Sequence, residues 1–387
     1  MSSVAPLYLD HNATTPTDPR VVDKMLPFFT DIFGNPSSVE HVHGNRAQAA
    51  VKVAREQVAQ AIGARENEII FTGSCTEANN IAILGAARAQ PEKKHLITTA
   101  IEHPSVIEPC RQLEREGWSL TILPVDESGM VSPEDVKAAL RADTLLVSIM
   151  AANNEVGTIQ PISEIGMVCK EAGVLFHTDL AQVMAQGQID VIADHVHLAS
   201  LSGHKAYGPK GVGALYARSR SPRARLAPIQ YGGGQEKGLR SGTLNVPLIV
   251  GMGEAISIAA RQGAADSARL QAMSAAFRDY VAANLEGVTF NGHPVQRLAG
   301  NNSLSIEGVE PLALMHKLNE VASFSASSAC STEKVETSPV LLAMFGDTPR
   351  ARQAFRVAPG RFTDGGALLD FARRLVTEVE TLRRFAA

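Results

Sequence analysis

A lysine set in a glycine-rich turn is the first residue with chemical potential. Lys205 lies within Leu201–Gly211 (LSGHKAYGPKG), between the apolar-alternating runs His195–Ser200 and Val212–Tyr216, which both read as strands. An amine kept partly desolvated at a strand end loses its preference for the ammonium form and becomes a usable nucleophile. Asp179, 26 residues earlier, closes another strand-like run, Val174–Asp179. A lysine that forms a Schiff base and a carboxylate that pairs with a pyridinium nitrogen are the two groups a pyridoxal phosphate enzyme needs. A surface lysine and a helix-capping aspartate fit the same two residues, so both readings stand at this point.

The elements around this pair decide which positions meet. Strand-like and helical stretches alternate along the first half of the chain. The runs Glu68–Thr72, Leu96–Thr99, Leu120–Leu123 and Leu145–Met150 read as strands. Helices are expected over residues 44–62, 76–87, 104–114, 133–140 and 162–172. Repetition of this kind predicts an α/β fold with a mostly parallel sheet covered on both faces. Ligands sit beyond the carboxyl ends of such strands. Thr72–Thr76, Glu102 and His103, Asn153 and Asn154, Asp179, and Ser202–Lys205 all fall there. The turn Gly73–Thr76 before a helix also makes an anion cradle, because backbone N–H groups and the helix dipole point at it.

The remaining stretches are expected as follows. Residues 7–9 form a short strand, and a helix opening at Asp18 and Pro19 runs through Phe29. Gln230–Thr243 is a glycine-rich functional loop. Two helices span 247–262 and 265–284. Then come a strand at 302–306, a helix at 311–318, a strand near 321–324, the strand Ala354–Val357 and a last helix over 366–382. This divides the chain into a large domain of residues 16–257 and a small one of 1–15 with 258–387.

Composition removes several classes of function. Hydrophobic residues make up 45% of the 387 and charged ones 20%, as in an ordinary globular protein. The 36 basic and 40 acidic side chains leave a net charge of −4, with no electrostatic footprint for nucleic acid. No run is long enough to span a membrane, and the opening MSSVAP does not read as a signal peptide, so the expected compartment is the cytoplasm. The four cysteines, at 75, 110, 169 and 330, form no C-x-x-C pair, and reduced thiols are expected. His41 with His43, and His195 with His197, lack a neighbouring carboxylate or cysteine cluster, so no metal is expected. In a strand, His195 and His197 would share one face.

Together these residues resemble the cysteine desulfurases of the NifS/IscS-like group, within the fold-type-I pyridoxal phosphate enzymes of the class V aminotransferase family. The resemblance runs from Tyr8–Pro16 (YLDHNATTP) to Arg356–Phe362 (RVAPGRF), nearly the whole chain. It implies a seven-stranded large-domain sheet beside a smaller α+β domain. Lys205 would hold pyridoxal 5′-phosphate as an aldimine, Asp179 would pair with the pyridine nitrogen, and Gln182 would bond the phenolic oxygen. His103 would stack on the ring and shuttle protons. Asn154 would lie near the cofactor oxygen and the substrate carboxylate, which Arg356 would fork. Cys75, Thr76, Ser202 and His204 would hold the phosphate, joined by Thr243 from the other subunit of a homodimer.

Cys330 selects the reaction within this resemblance. It would take sulfur from cofactor-bound L-cysteine, leaving L-alanine and an enzyme persulfide, from a small polar loop at about 325–336. Cys75, Cys110 and Cys169 read as structural, although the helix start at Cys75 is expected to lower its thiol pKa. Two departures stand out. The run before Cys330 lacks the glycine common in relatives, and the chain ends at Ala387, where housekeeping relatives extend a tail that docks the iron–sulfur scaffold. The implied sulfur acceptor is an iron–sulfur scaffold or a nucleic-acid thiolation enzyme. Another pyridoxal phosphate lyase (selenocysteine lyase-like), an aminotransferase, and a non-catalytic scaffold retaining the fold are the competing readings.

Overall fold

The computed structural model describes residues 5–186, 189–326 and 337–386. Its centre is a seven-stranded sheet in the order Ile69–Thr72, Gly213–Ala217, Leu198–Ser202, Leu175–Asp179, Thr144–Ser148, His95–Thr99 and Ser119–Leu123. All pairings are parallel except those of Gly213–Ala217, which runs antiparallel to both neighbours. Most of these strands are buried along their whole length because helices cover both faces, so that polar members such as His95, Thr98, Ser148 and Ser200 are buried with the apolar ones. On one face, Ala47, Val51, Ala54 and Val58 of the helix Val42–Ala61 pack with Phe71, Phe176 and Leu201. On the other, Ile81, Ala82 and Ala86 of the helix Cys75–Ala89 pack with Leu96, Leu146 and Leu215.

A second, antiparallel sheet orders Ser325–Ala326, Ala354–Val357, Asn302–Ile306 and Val288–Phe290. Its core is separate and gathers Leu9, Phe277, Leu304, Phe355, Phe371 and Leu375. The chain's N-terminal strand, Leu7–Tyr8, pairs in parallel with Ala322–Ser323 at this end. That pairing brings the segment after it, residues 10–15, between the two sheets.

Three local expectations are corrected. The stretch read as two helices is one, Val246–Asn284. Gly263 causes no break; a Cβ there would come within 2.7 Å of the Gln186 backbone carbon, so the glycine permits close packing. The helix opening at Pro19 stops at Met25, and a separate turn Pro27–Thr30 follows, because Pro27 has no N–H to continue the ladder. The strand expected from His195 begins at Leu198; His195 sits in a turn with φ 53°, so the two histidines do not share a strand face. Among the described residues, no helix is long and apolar enough to cross a membrane.

Candidate active site

A cleft of about 340 Å³ opens at the carboxyl ends of the parallel strands, between the two sheets. Cys75, Thr76, His103, Asn154, Asp179, Gln182, Ser202, His204, Lys205 and Arg356 all line it. The parallel register explains much of this convergence. Asp179 ends its strand opposite Ser200, two residues before Ser202 ends the neighbouring parallel strand.

Asp179 lies at the floor and is 7% exposed. Its Oδ1 accepts from the Ala181 N–H at 2.8 Å, and its Oδ2 accepts from the Asn79 amide at 2.8 Å. The Cys75 thiol points at Oδ1, 3.5 Å away. Burial and the Asp179 charge push that thiol's pKa well above its usual value, the reverse of the expected helix-dipole effect. Cys110 and Cys169 are buried and pushed up to about 12, which leaves them as inert packing groups.

Lys205 follows the strand next to that of Asp179, and its Nζ donates to the Asn12 carbonyl at 2.7 Å. Gln182 donates to the same carbonyl at 3.0 Å and accepts from the Asn12 amide at 3.0 Å. Asn301 in turn binds the Asn12 side chain and the carbonyls of Asn154 and Glu155. The N-terminal segment is thereby clamped against the amine that the sequence singled out.

The cradle forms where Ser74 caps the helix Cys75–Ala89, its hydroxyl accepting from the Glu77 N–H at 3.1 Å. A Cβ on Gly213 would come within 2.5 Å of the Ser74 carbonyl carbon, so only glycine lets this turn lie against the strand. Glu77 also holds the Gly73 N–H, and Arg240 of the glycine-rich loop pairs with Glu77 at 2.8 Å. That loop is therefore fastened to the cradle. Burial drops the His204 pKa to about 4, so its ring is a neutral partner of Thr14 at 2.9 Å. Thr243 is exposed and does not line the cleft formed by one chain.

Arg356 and Asn154 form the far rim. Arg356 is 5% exposed; it donates to the Asn154 carbonyl and pairs with Asp10, both at 2.6 Å. Its Nε is buried without a partner among the described residues, a donor that an incoming carboxylate would satisfy. Glu155 beside it is raised to about 7, chiefly by burial. His103 caps the helix Pro104–Arg115, its Nδ1 accepting from the Ser105 N–H at 3.1 Å. Burial lowers its pKa, so the ring is neutral near pH 7. Cys330 lies outside the described residues.

Asp10, Asn12, Asn79, Ser105 and Asn301 escaped the sequence reading. Asp10 and Asn12 sit in the quoted opening motif, read there as strand and turn. Asn79 left a weaker signal, a polar residue on the buried face of an otherwise apolar helix.

The donor set fits pyridoxal 5′-phosphate: a lysine amine, a buried carboxylate fixed by backbone and amide donors, and a helix N-terminus flanked by hydroxyls. The class-V aminotransferase family pattern matches residues 7–344. The cysteine desulfurase IscS of Rickettsia bellii is 45% identical over 98% of this chain and 92% of its own length. The human cysteine desulfurase is also 45% identical, over 98% of this chain and 83% of its own. A solved NifS-like protein superposes with a TM-score of 0.90 at 32% identity, covering 97% of this chain and all of that one. The structure of SspA in complex with cysteine gives 0.82 at 37%, covering 92% and all respectively. The chain belongs to the class-V aminotransferase family, in its NifS/IscS-like group of pyridoxal phosphate-dependent cysteine desulfurases.

Proposed function

We propose that the protein converts L-cysteine to L-alanine and takes up the sulfur as a persulfide on Cys330, with Lys205 as the cofactor-bearing amine. The observation that carries this reading is the meeting of Lys205, Asp179, His103 and Arg356 in one cleft. Pyridoxal 5′-phosphate, when bound, supplies an electron-withdrawing ring that stabilises negative charge at the substrate Cα. Asp179 would hold the proton on the ring nitrogen, and its donors from Ala181 and Asn79 fix the orientation of the carboxylate. Gln182 would face the phenolic oxygen. Cys75 and Thr76, through the helix N-terminus, would hold the phosphate with Ser202 and His204.

Arg356 and Asn154 would orient the amino acid by its carboxylate, fixing the Cα proton near His103 and Lys205. The Cys330 thiolate then attacks the substrate sulfur. An S–S bond forms as the Cβ–S bond breaks, the electron pair stays with carbon, and a proton taken up there completes alanine.

A homodimer accounts for two further features. Leu26, Phe29, Phe33, Val39, Val42 and Val53, all more than half exposed in a single chain, fall within residues 26–53. A second copy of the chain would cover them, and Thr243 would reach the partner's cradle. The recipient of the sulfur is a second protein, an iron–sulfur scaffold or a thiolation enzyme. The small domain, residues 1–15 and 258–387, would present Cys330 to it, and the large domain, 16–257, would hold the cofactor.

Product analysis with L-cysteine tests the reaction. Alanine formed in step with persulfide on the Cys330 peptide is expected. Pyruvate, or alanine production undiminished in Cys330→Ala under reducing agent, would overturn the scheme.

A further inference from the structure

One buried chain of hydrogen bonds joins the carboxylate at the cleft floor to the imidazole at its wall. The two amide hydrogens of Asn79 go to Asp179 Oδ2 and Ser105 Oγ, each at 2.8 Å. Ser105 Oγ lies 2.8 Å from His103 Nδ1, and the Ser105 backbone N–H donates to that same nitrogen at 3.1 Å. Asn79 is 0% exposed and Ser105 8%.

The directions of these bonds follow from the donors. A backbone N–H cannot accept, so Nδ1 must present its lone pair to it. In the neutral ring the proton therefore sits on Nε2, the nitrogen left for the cleft. Because the Asn79 amide occupies a lone pair of Ser105 Oγ, the hydroxyl is left to donate toward Nδ1. The Asn79 carbonyl oxygen is buried without a partner among the described residues, while both amide hydrogens are spent on this chain.

From this, the geometry points to Asn79 and Ser105 as positioning residues that hold His103 with its proton on Nε2, and so make it a proton donor toward the substrate, oriented jointly with Asp179. The inference rests on the desulfurase reading for what His103 serves, but the tautomer is a property of this chain alone. The same chain fixes Asp179 and His103 relative to each other, so a displacement at either end is felt at both.

The test combines ring nitrogen signals with kinetics on the cofactor-loaded protein. In 15N-histidine-labelled wild type, His103 is expected to show an unprotonated Nδ1 and a protonated Nε2. Asn79→Ala and Ser105→Ala both keep the backbone donor to Nδ1, so each should leave the proton on Nε2 but shift the Nδ1 signal, and should lower kcat on the order of tenfold with KM within about threefold. The double variant should be no worse than the poorer single, and Ser105→Thr should restore both readouts. A wild-type ring protonated on Nδ1 would overturn the inference. So would unchanged ring signals in both variants, or losses that multiply in the double. Failure of the underlying reading looks different: the wild type would bind no pyridoxal phosphate while the His103 signals stayed as stated.

Discussion

The two walls of the cleft are built in different ways. The cofactor wall comes from successive strand ends of one sheet: Thr76 after the first strand, then His103, Asp179, Ser202 and Lys205. Each is placed by a buried backbone ladder, so the constellation is nearly fixed once the sheet forms. The substrate wall is assembled from remote segments, with Asp10 and Asn12 from the N-terminus, Asn154 and Asn301 from loops, and Arg356 from the second sheet. It is held by side-chain contacts that each span more than a hundred residues. The first wall inherits its placement from one sheet, whereas the second depends on the N-terminal segment, loops and the second sheet meeting correctly.

Substitutions on the two walls should separate accordingly. The largest effect is expected for Asp179→Asn on the cofactor wall. It should lower kcat on the order of a hundredfold or more and shift the cofactor absorbance band, because a neutral amide no longer holds the ring nitrogen's proton. Arg356→Lys on the substrate wall should raise KM for L-cysteine by roughly tenfold or more, since a point charge cannot replace the fork, and should leave the band in place. A band shift in that variant would collapse the distinction between the walls.

Asp10→Asn should act in the opposite sense and more weakly. Asp10 occupies Arg356 at 2.6 Å and is a like charge to the incoming carboxylate. Its removal should lower KM by about threefold, an effect that shrinks with added salt. A raised KM would instead mean that Asp10 chiefly aims the guanidinium.

The smallest effect concerns stability under the cofactor wall. Glu102 is buried, accepts from Thr99 and the Met150 N–H, and has its other oxygen unpaired among the described residues. Burial raises its pKa from 4.5 to about 8. The folded protein thus holds a proton that the unfolded chain gives up above pH 4.5. Stability is therefore lost as pH rises from about 4.5 through 8. Glu102→Gln should flatten this fall in Tm, with the gap to wild type widest near pH 8 and above. Parallel Tm curves would contradict the assignment.

The contrast between the walls also explains what the sequence disclosed. Strand periodicity and the residues just past each strand end were enough to nominate Asp179, His103, Ser202 and Lys205, because a parallel sheet places those positions on one edge. Family resemblance supplied Arg356 and Gln182, which periodicity alone does not place in a cleft. Asn301 was illegible: its task is to bind the Asn12 side chain and the Asn154 and Glu155 carbonyls, none of which is near it in the chain. The Cys75 thiol shows the limit of a local rule. Its place at a helix start argues for a low pKa, but burial against Asp179 wins. The single helix Val246–Asn284 reads as two in the sequence, and only the close approach of Gln186 shows why a glycine stands at 263 without breaking it.

The central claim is that Lys205 carries the cofactor. Borohydride reduction of the protein loaded with pyridoxal 5′-phosphate, followed by peptide mass spectrometry, tests it most directly. The pyridoxyl group is predicted on Lys205 and on no other lysine. Its recovery on a different residue, or a Lys205 peptide left unmodified in fully loaded protein, would contradict the account.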